Sequence, residues 1–234
     1  MLPIRDRNPS LTLPYATYTL IAINVAVFLL ELLLDAEGQL DSFLYRWALI
    51  PKEVLAGRGL ETVLTSMFLH GGFMHIFGNM LYLYIFGNNV EDVFGHVGFV
   101  AFYIFSGTCA ALLHMLLTTS PYTPTLGASG AIAGVLGAYL LFFPTARIDT
   151  IVFFYFIIRW VTIPASVLLL FWFVMQLFSG VVFSITAAAS GVAYFAHVGG
   201  FITGLVLALP FRSRARSGYV PEPSFPGMEE EYWF

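Results

Sequence analysis

Charge is what this sequence has least of: Asp, Glu, Lys and Arg together make up 10% of its 234 residues, where a soluble domain carries about 25%. With 59% hydrophobic residues and a mean hydropathy of +0.83, the chain reads as an integral membrane protein. Cysteine is almost missing as well. Cys109 stands alone inside an apolar segment, which excludes an intrachain disulfide and leaves it the role of a small core residue. The net charge of -4 provides no basic surface, so nucleic acid is excluded as a partner. Runs of period-2 alternation are absent too, which leaves helices rather than a barrel as the way across a bilayer.

What is present is a series of apolar stretches near bilayer length: Tyr15 to Leu34, Gly72 to Asn88, Val97 to Leu117, Leu126 to Phe143, Pro164 to Phe183 and Val192 to Pro210. They predict an all-α polytopic membrane protein with six transmembrane helices over residues 15–210. The apolar piece Thr150 to Ile158 is too short to cross and ends in Arg159-Trp160, so it is expected to be interfacial or re-entrant. Basic residues set the orientation. Arg5, Arg7, Arg147, Arg159, Arg212, Arg214 and Arg216 fall on one side of such a chain and Arg46, Lys52 and Arg58 on the other, which predicts both termini inside.

Residues 1–14 are then a cytoplasmic segment. The first span lacks a clear small-residue cleavage site and is expected to stay as an anchor. The loop from Asp35 to about Ser66 is a sizeable extramembrane element, in which Phe43 to Ile50 suits a piece lying in the headgroup region; it is either a surface loop with an aromatic belt or a substrate-handling element. Residues 211–234, with Pro221, Pro223, Pro226 and Glu229 to Glu231, are expected to form a disordered tail.

Polar groups inside spans are costly, about 2.5–3.5 kcal/mol for charged ones at the helix centre, and tend to mark function. His75 and Asn79 are four apart and share a helix face, where they form either an interhelical polar clamp or a pair of donors aimed at one point. Ser129, within Gly127-Ala128-Ser129-Gly130, stands at the first turn of its span, where unpaired backbone N–H groups and the helix dipole favour an anion. Gly130, Gly134 and Gly137 line one face of that helix, and His197, Gly200 and Gly204 line one face of the last. These faces serve either ordinary small-residue packing or the close approach that a Ser–His hydrogen bond needs, about 2.6–3.2 Å.

If the pair meets, neutral His197 would take the Ser129 proton as Oγ attacks a peptide carbonyl and return it to the leaving amine. Acidic residues are missing from the spans apart from Glu31, so a dyad is expected rather than a triad. The oxyanion would be held by the Ser129 backbone N–H with the His75 and Asn79 side chains, each donor worth about 2.7–4 kcal/mol.

Gly127 to Gly130, the stretch His70 to Met80 and Ala196-His197-Val198-Gly199-Gly200, in that arrangement on the fourth, second and sixth spans, together resemble the rhomboid intramembrane serine proteases. Gly87 to Asp92 is similar to the family as well. The resemblance implies a six-helix rhomboid-like bundle with Ser129 as nucleophile, His197 as base, and His75 and Asn79 as oxyanion side chains. It also implies His70 as a structural or water-holding residue, a water-filled cavity opening to the extracytoplasmic side, and substrates that are single-span membrane proteins. Partners are then transmembrane proteins and the lipid bilayer. One departure stands out: some family members carry an aromatic under the histidine four residues after the serine, and here that position is Ala133, with Tyr194 or Phe195 as candidate replacements. The family's first-loop arginine corresponds to Arg46 or Arg58.

The small-residue segment Ser184 to Gly191 is either a mobile cap over the site or a short flexible connection. Rival readings are an inactive relative that binds membrane proteins and a transporter using His75 and His197 as proton relays; retention of both Ser129 and His197 opposes the first, and the missing intramembrane acids oppose the second. His-Glu-x-x-His and paired intramembrane aspartates are absent, and His70 with His75 lacks a third ligand, so no metal or other cofactor is expected. Compactness and the lack of an organellar presequence point to a bacterial inner membrane.

Overall fold

At the centre of the computed structural model is a helix buried on every side, Ser129–Phe142, which matches its sequence: it is apolar all round, as only an interior helix is. The structure describes residues 1–154, 157–186 and 192–215. In chain order they form β1 (Leu2–Asp6), α1 (Tyr15–Ala36), short helices α2 (Leu40–Trp47), α3 (Pro51–Leu55) and α4 (Thr62–Thr65), then α5 (Phe73–Phe94), α6 (His96–Leu117), α7 (Ser129–Phe142), β2 (Arg147–Phe154), β3 (Ile157–Pro164), α8 (Ala165–Thr186) and α9 (Tyr194–Ala208). Short 3₁₀ turns follow α4 and α9, at Ser66–Phe68 and Leu209–Arg214.

By length and apolarity, four helical segments can cross a bilayer: Tyr15–Ala36, His96–Leu117, Ala165–Thr186 and Tyr194–Arg214. α1 and α8 leave most of their apolar surface outside, with Leu29, Leu33, Val167 and Phe178 each more than half exposed. In water such a surface would be a contiguous hydrophobic patch, so lipid covers it. The chain is an integral membrane protein.

α5 runs six residues beyond the expected end of its span, because its polar C-terminal turns are satisfied by the chain's N-terminal segment. Glu91, almost fully buried, accepts the backbone N–H groups of Ala16 and Thr17 and the Thr17 hydroxyl at 2.7–2.9 Å. It therefore caps the start of α1 from a distance, and it also pairs with His96. Asp92 accepts the Leu11 and Thr12 N–H groups, and Asn89 donates to the Asn8 carbonyl. A single glycine, Gly95 at φ 72°, then turns α5 into α6.

The all-α expectation needs a correction, because β1, β2 and β3 form an antiparallel sheet in that order. The piece Thr150 to Ile158, expected to be interfacial or re-entrant, belongs to the β2–β3 hairpin, whose β-branched content (Ile148, Thr150, Ile151, Val152, Val161, Thr162, Ile163) suits extended backbone. β1 pairs Leu2 with Ile151 and Asp6 with Ile148, so the N terminus and the α7–α8 connection lie at one end of the bundle. Arg7 meets buried Asp149 at 2.9 Å, and the Tyr139 hydroxyl donates to Asp6 at 2.6 Å. Burial pushes the Asp6 carboxyl up to about 6, opposed by hydrogen bonds from Tyr139 and the Asn8 N–H.

The opposite end carries the loop elements α2 to α4, where Leu49 and Thr125 exchange backbone hydrogen bonds. Of the segments expected to be mobile, residues 187–191 and 216–234 lie outside the described residues, while 211–214 continue a 3₁₀ turn.

Candidate active site

Glycine governs how α7 meets α9. A Cβ on Gly200 would overlap the carbonyl oxygen of Gly130, one on Gly204 that of Gly134, and one on Gly137 that of Phe201. The two helices thus touch backbone to backbone, and Ser129, one residue before the first of these contacts, comes beside His197, three residues before Gly200. Ser129 Oγ lies 2.8 Å from His197 Nε2. Gly130 also faces α6, where its Cβ would meet that of Ala110.

Gly127 shapes the approach to the serine. Its φ is 125°, a value only glycine adopts without strain, and a Cβ there would stand 2.7 Å from His75 Nε2 and 3.7 Å from Ser129 Oγ. His75 Nδ1 accepts the Gly71 backbone N–H at 3.3 Å. Its proton therefore sits on Nε2, which faces the serine turn as a donor. Asn79, one helical turn on, is buried with an Nδ2 group that has no hydrogen-bond partner. His75 Nε2–H and the N–H groups of the first turn of α7 thus face one point, where negative charge would be welcome.

His70 sits apart from that set. It is buried behind His75, ring edge to ring face at 5.2 Å between centroids, and its backbone N–H reaches Glu31 at 3.1 Å. The one carboxylate expected in the spans is thus used to hold the chain before α5, far in role from the Ser129–His197 pair. Arg46 pairs with Glu61 and lies over Trp47, and Arg58 pairs with Glu53, so both candidate loop arginines brace the loop itself.

Two residues at the histidine escape the sequence reading. His197 Nδ1 lies 2.8 Å from Gln176 Oε1, and the Trp172 ring lies against the imidazole, 5.7 Å between centroids at 35°. Both come from α8, one turn apart. Neither Tyr194 nor Phe195 takes the place of the missing aromatic: Tyr194 stacks on Phe183 and Phe195 packs near Gly180. Ala133 itself is buried against α9, where a Cβ on Gly200 would come within 3.2 Å of its own Cβ. Gln176 is the one amide within α8, a polar group that the sequence by itself gives no partner.

A cavity of about 440 Å³ is lined by His75, His114, Thr118, Ser120, Thr123 and Tyr194 among others; it reaches the site through His75, while Ser129 and His197 are not part of its walls. His114 Nε2 meets the Thr125 hydroxyl at 3.0 Å. The lining mixes these polar groups with apolar ones such as Leu117, Leu126, Phe183 and Phe195.

Fold and site together define a mostly helical, polytopic membrane protein that holds a Ser–His pair at the N-terminus of a buried helix. The family model described as Rhomboid domain matches residues 58–214, and the chain belongs to the rhomboid family. It is 34% identical over 140 residues to Rhomboid protein 1, mitochondrial, of Saccharomyces cerevisiae, covering 58% of this chain and 39% of that protein. It is 32% identical over 180 residues to RHOMBOID-like protein 4 of Arabidopsis thaliana, covering 76% of this chain and 41% of that protein. Rhomboid protease GluP of Bacillus subtilis is 32% identical over 127 residues, covering 54% of this chain and 24% of that protein. The chain thus spans well under half of the length of these relatives. Since the yeast relative is a mitochondrial protein, the expectation of a bacterial inner membrane gains no support.

Proposed function

We propose that this chain is an intramembrane serine endopeptidase that hydrolyses peptide bonds in or near the transmembrane segments of membrane proteins, with Ser129 as nucleophile and His197 as general base. The observation that carries the reading is the 2.8 Å contact of Ser129 Oγ with His197 Nε2, made where a helix N-terminus favours an anion. Oγ attacks the carbonyl carbon while its proton passes to Nε2. The oxyanion is received by the Ser129 N–H, His75 Nε2–H and Asn79 Nδ2–H. The C–N bond then breaks as Nε2 protonates the leaving amine, and water, deprotonated by the same nitrogen, releases the acyl group from Oγ.

The proposed bundle has six membrane-crossing helices, α1 and α5 to α9, with the sheet on the cytoplasmic side beside both termini. α7 has 14 residues, about 21 Å of helix, against about 30 Å of hydrocarbon. A helix so short starts below the bilayer face, which suits a serine that must be reached from within the membrane plane.

The test is cleavage of a reporter single-span protein in liposomes. Wild type should yield two fragments and Ser129→Ala none. A folded wild type that leaves several such reporters intact would contradict the reading and favour a membrane-protein binder.

A further inference from the structure

His197 is held from two sides by one helix, and that grip extends the dyad reading on which this inference rests. Gln176 Oε1 meets Nδ1 at 2.8 Å, at the ring's far edge from Ser129, while Trp172, four residues earlier on the same face of α8, covers part of the ring. For Nε2 to accept the Ser129 proton it must be bare, so the imidazole proton belongs on Nδ1. An amide oxygen can only accept, and it therefore selects that tautomer.

We propose that Gln176 is the positioning residue of this site, fixing the tautomer and rotation of His197 in the place where a triad has a carboxylate. The chemistry favours an amide here. When Nε2 takes the serine proton, the ring becomes a cation whose Nδ1–H points at a carbonyl dipole, which stabilises it without a second titrating group. Gln176 exchanges no proton: the Oγ proton goes to Nε2 and on to the leaving amine, and the Nδ1 proton stays in place throughout. A carboxylate would stabilise the cation more, but its charge would be costly on a helix whose outer face is apolar and lipid-covered. The arrangement is also compatible with the small residue at 133. Ala133 brings no ring to the histidine, and α8 supplies both the acceptor and the aromatic instead.

The test compares wild type, Gln176→Leu, Gln176→Glu and Ser129→Ala in two readouts. One is the ¹⁵N spectrum of histidine-labelled protein in detergent, which reports the His197 tautomer whether or not the protein cleaves anything. The other is reporter cleavage across pH. Wild type should show Nδ1 protonated and Nε2 bare, and Gln176→Leu a mixture of tautomers. Cleavage by Gln176→Leu should fall about 10²-fold in kcat with KM within about threefold. Gln176→Glu should recover most of the rate, with its pH profile displaced to higher pH by about one unit. An unchanged tautomer in a folded Gln176→Leu, or a rate within about threefold of wild type, overturns the proposal. A tautomer that shifts in Gln176→Leu while wild type cleaves nothing leaves the positioning intact and removes the hydrolase reading instead.

Discussion

Gly200 lies so close to the carbonyl oxygen of Gly130 that no side chain fits between α7 and α9 at that point. The Ser129–His197 hydrogen bond follows from this contact, because each partner is within one turn of it. The helices must be in backbone contact before a short side chain such as serine can reach an imidazole on the next helix.

Gly200→Ala should therefore separate the pair and destabilise the bundle together. The added methyl meets backbone, which cannot rotate away, so a loss of about 1–3 kcal/mol is expected, with loss of cleavage. Unfolding in a denaturing-detergent titration measures the first and the reporter assay the second. Gly72→Ala, at a glycine whose Cβ would meet nothing within 4 Å, controls for added bulk, though its φ of 147° carries some strain.

His75→Ala and Asn79→Ala should each lower kcat by about 10²–10³-fold with little change in KM, since each removes a donor that acts on the oxyanion rather than on bound substrate. The double variant should lose less than the product of the two, as the remaining N–H of Ser129 still receives the charge. Equal rises in KM with unchanged kcat would instead make them substrate-binding groups.

Glu91→Ala should cost about 3 kcal/mol or more, because it leaves the Ala16 and Thr17 N–H groups buried and unpaired at the head of α1. Glu91→Gln keeps one acceptor oxygen and should restore part of the loss. Differential scanning in detergent checks both.

The Asp6 carboxyl, pushed up to about 6 by burial, binds its proton more tightly folded than unfolded. Its contribution is present below its ordinary value near 4 and is lost as pH rises through about 6. Thermal stability of wild type should thus fall across that window, and Asp6→Asn should flatten the fall. A slope unchanged by Asp6→Asn would place the titration elsewhere.

The reactive residues were legible because their signals are local. Gly127 to Gly130 marks a helix start by itself, and His75 with Asn79 share a face by simple spacing. The sheet was not legible for the opposite reason: β1 is five residues long, contains Pro3 and two charged side chains, and finds its partner strand more than 140 residues away. The partner strand's own apolar run read equally well as an interfacial segment. Gln176 was missed because a lone amide in an apolar helix shows nothing until α8 is packed on α9, when it meets the histidine. The extension of α5 had the same cause, since Glu91 and Asp92 look like a span's end until the N-terminal segment satisfies them.

The most direct test of the account is covalent labelling by a fluorophosphonate probe, read by intact mass and peptide mapping in detergent-solubilised wild type, Ser129→Ala and His197→Ala. Wild type should gain one adduct on Ser129, Ser129→Ala none, and His197→Ala should label slower by about 10²-fold or more. Labelling that persists in Ser129→Ala, or that proceeds at the wild-type rate in His197→Ala, would contradict a nucleophile activated by this histidine.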